Sequence, residues 1–208
     1  MGKSNALRLA DVRAAFRLVG DCRDLGHDGG RWRARLTAGL TDLVHGTHAI
    51  GLEAAPAFAA GAPAGPSHFP ARWPADAYAL WHRLYLVERA APRDVSFRRF
   101  FAVPGRRAVR HRRQLVADPD WYPSEEVVAR RRPLGVDDLL MSRLPHAGGL
   151  FVFCACRPTG DRGFDARQVK VVALSLVEVG RLIGGPLAAD PGGPAAGLPA
   201  RTRQVLGL

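Results

Sequence analysis

Asp137-Asp-Leu-Leu-Met-Ser-Arg-Leu-Pro-His-Ala-Gly-Gly-Leu-Phe-Val-Phe-Cys-Ala-Cys156 is the stretch that decides the fold. Asp137 to Leu144 reads as a strand with Asp138 at its start, and Leu150 to Cys156 reads as a second strand. His146-Ala-Gly-Gly149 supplies a hairpin-like connection, so the two strands run antiparallel. Because side chains alternate along a strand, Cys154 and Cys156 share one face, whereas the adjacent Asp137 and Asp138 point apart and cannot work as a carboxylate pair. With Cys22 there are three cysteines, which fit neither a disulfide framework nor a zinc site and read as small buried hydrophobes.

Downstream of the hairpin, Thr159-Gly-Asp-Arg-Gly163 is a loop, and Asp165 to Ile183 is a long helix. Asp165 caps it, Gln168 stands at the capping-box position and Phe164 staples onto Val169. Val169, Val172, Ala173, Leu176, Val179 and Ile183 form its buried stripe, and Gly184-Gly-Pro186 stops it. Asp190-Pro-Gly-Gly-Pro-Ala-Ala-Gly197 then reads as a flexible linker.

Upstream, residues 8–25 have helical periodicity, with Val12, Ala15, Phe16, Val19 and Cys22 on one face, Asp11 as N-cap and Gly26 as the stop. A second helix runs from Gly29 to His45, capped by Asp28, with Trp32, Leu36, Leu40, Leu43 and Val44 as its stripe. The short gap makes the two antiparallel neighbours. Thr47 to Ala54 is a strand with Ile50 and Leu52 on one face, and the Ala/Gly/Pro-rich stretch from Ala55 to Pro74 reads as a mobile loop. Ala75 to Glu88 reads as a helix with Tyr78, Trp81, Leu84 and Tyr85 at core spacing, with a strand over Leu84–Val87 as the alternative, and Ser124 caps a helix opening with Glu125 and Glu126. Helices, hairpin strands and a long final helix together describe an α+β fold, an antiparallel sheet with packed helices.

The 208 residues suit one domain with appendages, at 47% hydrophobic and 24% charged content. No apolar run is long enough for a bilayer, and the N-terminus lacks the core of a secretory signal, so a cytoplasmic protein with no membrane partner is expected. The net charge of +11 points toward nucleic acid, but only Lys3 and Lys170 are lysines. An arginine-rich, Ala/Gly/Pro-rich profile is also what a GC-rich coding sequence produces. The sharpest basic feature is Arg106-Arg-Ala-Val-Arg-His-Arg-Arg113, whose Arg106, Arg107, Arg110, Arg112 and Arg113 are candidate phosphate contacts or else a solvated face. Trp81, Trp121 and Tyr122 are candidate walls of a ligand pocket. His45, His48, His82, His111 and His146 show no metal-site spacing. No nucleophile elbow, Walker loop or dinucleotide fingerprint is present, so neither a metal, a cofactor nor catalysis is expected.

Leu198-Pro-Ala-Arg-Thr-Arg-Gln-Val-Leu-Gly-Leu208 follows the pattern Leu-x-x-Arg-x-Arg-x-Val-Leu-x-Leu. It resembles the opening of the helix-turn-helix of LuxR-type transcription regulators. Arg201 and Arg203 would lie on the outer face of its first helix, as further nucleic-acid candidates. Asp118-Pro-Asp-Trp-Tyr-Pro-Ser124, Arg130-Arg-Arg-Pro-Leu-Gly-Val-Asp-Asp138 and Gly160-Asp-Arg-Gly-Phe-Asp-Ala-Arg167 resemble, in order and spacing, the GAF- or PAS-like sensor region of such regulators. Pro123 departs from the usual Ser or Asn after Trp-Tyr. The resemblance implies a sensor domain over residues 1–187, a linker over 188–197 and a truncated helix-turn-helix over 198–208. A small-molecule or protein effector and a second copy of the chain would be its partners. Without a second, groove-reading helix, specific operator binding is not expected. The alternative is a stand-alone basic module that binds nucleic acid through the arginine run.

Overall fold

The computed structural model describes residues 5–54, 64–146 and 149–189. The expected linker and the Leu198–Leu208 motif, with Arg201 and Arg203, lie outside the described residues. Two helices lead, α1 (Leu9–Asp24) and α2 (Gly29–Leu43), followed by strands β1 (His48–Ala54) and β2 (Ala64–Ala71). Next come α3 (Ala75–His82), which runs on into a π-helical turn, α4 (Val95–Ala102), β3 (Ala108–His111) and the short α5 (Asp118–Trp121). A second π turn at Val127–Arg131 precedes the hairpin β4 (Asp138–His146) and β5 (Gly149–Arg157), and α6 (Ala166–Leu182) follows.

Among the described residues the strands form one five-stranded antiparallel sheet of order β2-β1-β5-β4-β3. Alternation sorts its side chains onto two faces. Ala49, Leu140, Leu144, Phe151, Phe153 and Ala155 face α1, α2 and α6, where Trp32, Leu36, Leu40, Val172, Leu176 and Val179 are buried. Ile50, Leu52, Leu139, Met141, Val152, Cys154 and Cys156 face the other way, against Trp81, Tyr85, Phe97, Phe100 and Trp121. Each core has helices over one face of the sheet, the arrangement expected of an α+β chain.

α6 begins as its sequence predicts. The Asp165 carboxylate accepts from the amides of Arg167 (3.0 Å) and Gln168 (3.1 Å), and the Gln168 side chain accepts from the Asp165 amide (2.9 Å). Asp28 caps α2 through the Arg31 amide. α1 differs. Its N-cap is Arg8, and Asp11 lies a turn inside, accepting from the Arg8 amide at 2.8 Å. Leu18 rather than Phe16 completes its buried face, and Phe16 is half-exposed. α1 crosses close to α2 because Gly39 leaves room for the Leu18 side chain, which a Cβ there would strike. The predicted Ala55–Pro74 loop is corrected over its second half. Residues 64–71 form β2, paired with β1, while residues 55–63 lie outside the described residues. Proline suits this position because β2 is an edge strand, with one row of amides facing away from the sheet.

Candidate functional site

Arg157 ends β5 on the rim of the sheet, and it is only 6% exposed. Its guanidinium donates to backbone carbonyls alone, those of Val44 (2.6 Å), His45 (3.3 Å), Gly163 (3.2 Å) and Arg162. Its Cζ lies over the Phe164 ring, 4.3 Å from the centroid. Phe164 is tied to the hairpin by its amide, which donates to Asp138 Oδ2 at 2.8 Å. In the first turn of α6, Arg167 grips Asp11 of α1, with Nε 2.7 Å from Oδ2, and Gln168 Nε2 donates to the Val44 carbonyl at 2.6 Å. The Gly160–Arg167 stretch is therefore the junction that joins α1, the end of α2, β4, β5 and α6. Hydrogen bonding from Arg167 holds the Asp11 carboxyl down at about 2.

These groups enclose a cleft of about 390 Å³, with Asp11, His45, Arg157, Arg162, Asp165 and Gln168 in its walls. That volume falls within the range of small-molecule sites. His45 is the informative member. The end of α2 is a Schellman turn, with the Gly46 amide bonded to Thr41 O (2.9 Å) and the His45 amide to Asp42 O (3.1 Å). His45 occupies its left-handed position at φ 53°, where glycine is the default because it has no Cβ. An imidazole held there, on the wall of a cleft, accepts a backbone cost of roughly 1 kcal/mol.

The predicted aromatic residues are placed elsewhere. Trp81 is buried in the second core, stacked between Tyr78 and Tyr85 at centroid distances of 6.0 Å each. Trp121 is fully buried, and Tyr122 is exposed, its hydroxyl donating to Asp137 at 3.2 Å. Arg112 brings these two together, its guanidinium 5.4 Å from the Trp121 centroid and 5.6 Å from that of Tyr122. None of the three lines the 390 Å³ cleft. Beneath Tyr85 lies a buried polar cluster: its hydroxyl donates to Asp94 Oδ2 at 2.9 Å, and Arg131 pairs with the same carboxylate. Burial alone would raise the Asp94 carboxyl, but Arg131, Ser96 and Tyr85 outweigh it and hold it below the usual range. Burial, then the nearby Asp94 charge, pushes Glu126 up.

No family of known proteins matches this sequence, and no curated protein does.

The arginine run is dispersed by its own strand. Arg106 and Arg107 are exposed, and Arg110 is half-buried on the edge strand β3. Arg113 leans on Asp118 at 3.4 Å. Arg112 is withdrawn from the candidate phosphate contacts, because it is completely buried and bound to Asp118, with Asp138 at 3.8 Å. Sequence reasoning missed Asp11, His45 and Arg157 as one site, since they lie far apart in the chain. The signals it could have used are the arginine ending an apolar strand and the histidine where a helix would stop on glycine.

Proposed function

We propose that this chain is the regulatory module of a LuxR-like transcription regulator, a GAF/PAS-like cytoplasmic sensor rather than an enzyme. A small polar effector enters the cleft at the start of α6 and sets the position of that helix. The observation that carries it is His45, a non-glycine residue kept in the left-handed conformation on the wall of a cleft of about 390 Å³. The same cleft touches α1 through Asp11, the end of α2 through His45 and the first turn of α6 through Arg167 and Gln168. An occupant that prefers one arrangement of these helices shifts the population toward it. Downstream of α6 stands the Leu198–Leu208 sequence, which resembles the start of a helix-turn-helix. The alternative basic module is weakened by the burial of Arg112.

His45→Gly tests the reading without threatening the fold. It removes the imidazole from a position that favours glycine, and stability should rise by up to about 1 kcal/mol. Small polar metabolites are titrated against the native chain by thermal shift, with hydrogen exchange at the first turn of α6 as second readout. A stabilising ligand that slows that exchange, and is lost in His45→Gly and Arg162→Ala, is the expected result. Steeply salt-dependent binding to unrelated DNA, abolished by replacing Arg106, Arg107, Arg110 and Arg113 with alanine, would favour the basic module instead.

A further inference from the structure

The two edges of the sheet are finished differently. β2 carries Pro66 and Pro70, which have no amide hydrogen to offer an added strand. β3, at the other edge, is bonded on one side only, to β4, and Ala108–His111 contains no proline. A sheet edge with its donors intact is a template for a further strand. Behind β3 the last helix overhangs the sheet. Val169, Ala173 and Val177 follow one another at four-residue intervals along α6, and all three are only half-buried. With Ala108, Val109 and Leu176 they line a groove of about 210 Å³. That volume is below the range of small-molecule sites, so the groove suits a side chain rather than a metabolite.

The rim of the groove is basic. Arg107, Arg110 and Arg143 stand in its wall, and among the described residues no carboxylate does. Arg107 lies over Gly180 of α6, where a Cβ would come within 3.0 Å of its Nη2. Arg110 donates from Nη1 to the Val109 carbonyl at 2.8 Å. Arg143 donates to carbonyls at the end of α4, those of Phe100 (3.3 Å) and Phe101 (3.1 Å) among them. None of the three pairs with a carboxylate among the described residues. Burial, then the neighbouring Arg110 charge, pulls the Arg143 guanidinium below its ordinary value. Other arginines of the fold are neutralised within it: Arg33 meets Glu53, Arg112 meets Asp118, and Arg131 meets Asp94. Cations crowded round an apolar groove, without counter-charges in their own chain, are complementary to an acidic partner. Arginines alone would only discourage edge-to-edge aggregation, and a guard of that kind needs no groove behind it. A nucleic acid fits less well, because no aromatic ring stands in the wall to stack on a base.

We propose that the groove between β3 and α6 is a docking site for an extended acidic segment of a partner protein. An aliphatic side chain of that segment fills the groove against Ala173 and Val177. Its main chain lies along the edge of β3, and its carboxylates meet Arg107 and Arg110. No described residue lines both this groove and the cleft at Asp11 and His45, so the proposal holds whatever that cleft binds.

Panning a display library of random peptides against the full chain tests it, with fluorescence anisotropy on synthetic versions of the enriched sequences. Acidic peptides that carry an aliphatic residue are expected to be enriched, to bind in the micromolar range and to weaken as salt rises. Arg107→Glu combined with Arg110→Glu should weaken that binding by roughly tenfold or more, and should favour the same peptide with lysines in place of its acids. Ala173→Leu is the sharper variant, because it alters no charge. Filling the groove from the helix should leave the melting temperature unchanged or raise it, while peptide binding still falls by roughly tenfold or more. No enrichment, or binding indifferent to either variant, would overturn the proposal. Should peptide binding survive in Ala173→Leu, and a labelled DNA duplex lose affinity only in the arginine variant, the arginines belong to a nucleic acid instead.

Discussion

The two faces of the sheet are built by different means. Over one face, α1, α2 and α6 are 15 to 17 residues long, and their aliphatic stripes fill most of the space, with a buried ion pair, Arg33 of α2 on Glu53 of β1. Over the other face, α3 and α4 are eight residues each and α5 only four, with π-helical turns at Arg83–Val87 and Val127–Arg131. Short helices present no repeating stripe. That side is filled instead by large aromatic rings, with a buried Asp94–Arg131 pair beneath them. The long-helix face derives its stability from many interchangeable apolar contacts. The aromatic face depends on a few irreplaceable polar ones.

The contrast predicts a steep penalty on the aromatic side. Arg131→Met leaves the Asp94 carboxylate buried without its counter-charge and should cost about 3–5 kcal/mol in urea denaturation. The double variant Arg131→Met with Asp94→Asn removes the uncompensated charge but keeps an acceptor for the Ser96 and Phe97 amides, and should recover part of that loss. A double variant as unstable as the single one would show that the pair is not what holds this face.

Acid should act on the same side next. His48 lies against Trp73, ring centroids 4.1 Å apart and tilted, and burial pulls its imidazole down to about 4. The unfolded chain, with an ordinary histidine value near 6.5, takes up the proton first. Stability is therefore complete above pH ~6.5 and falls as pH drops toward 4, by about 3 kcal/mol for this group. Burial lowers His68 and His111 as well, and their contributions have the same sign. Chemical denaturation across that pH range measures the slope, and His48→Gln should flatten it. A slope unchanged by the substitution would place the acid sensitivity elsewhere.

The smallest effect belongs to the long-helix face. Asp165→Ala removes the α6 cap and should cost about 1 kcal/mol, because the helix is still held by its stripe. A loss as large as that of Arg131→Met would erase the distinction between the faces.

The same contrast explains what could be read from the chain. α1, α2, α6 and the β4–β5 hairpin repeat their pattern often enough to be legible, down to the Asp165–Gln168 capping box. Phe16 was assigned inward because a phenylalanine near an apolar stripe resembles core, and its exposure depends on the angle at which α1 lies on α2 and α6. β2 was hidden by Gly65, Pro66 and Pro70, residues that an edge strand accommodates and an interior strand does not. Arg112 read as surface because its burial depends on Asp118 and on Asp138, which arrives from another strand. The cleft was least legible of all, since residues 11, 45, 157 and 167 meet only when the whole fold closes.

The strand order has a consequence for the birth of the protein. Among the described residues β1 is the first strand made and lies between β2 and β5, and β5 is the last. His48 must find Cys156, and the Val44 and His45 carbonyls must find Arg157. A ribosome adding roughly 5–20 residues per second takes roughly 5–20 s to cover the distance between them. During that interval the leading helices and β1 have left the tunnel without the partner that completes them. The middle of the sheet is thus the last place to form, and the nascent N-terminal half is a natural client for a chaperone that shields apolar surface until β5 emerges.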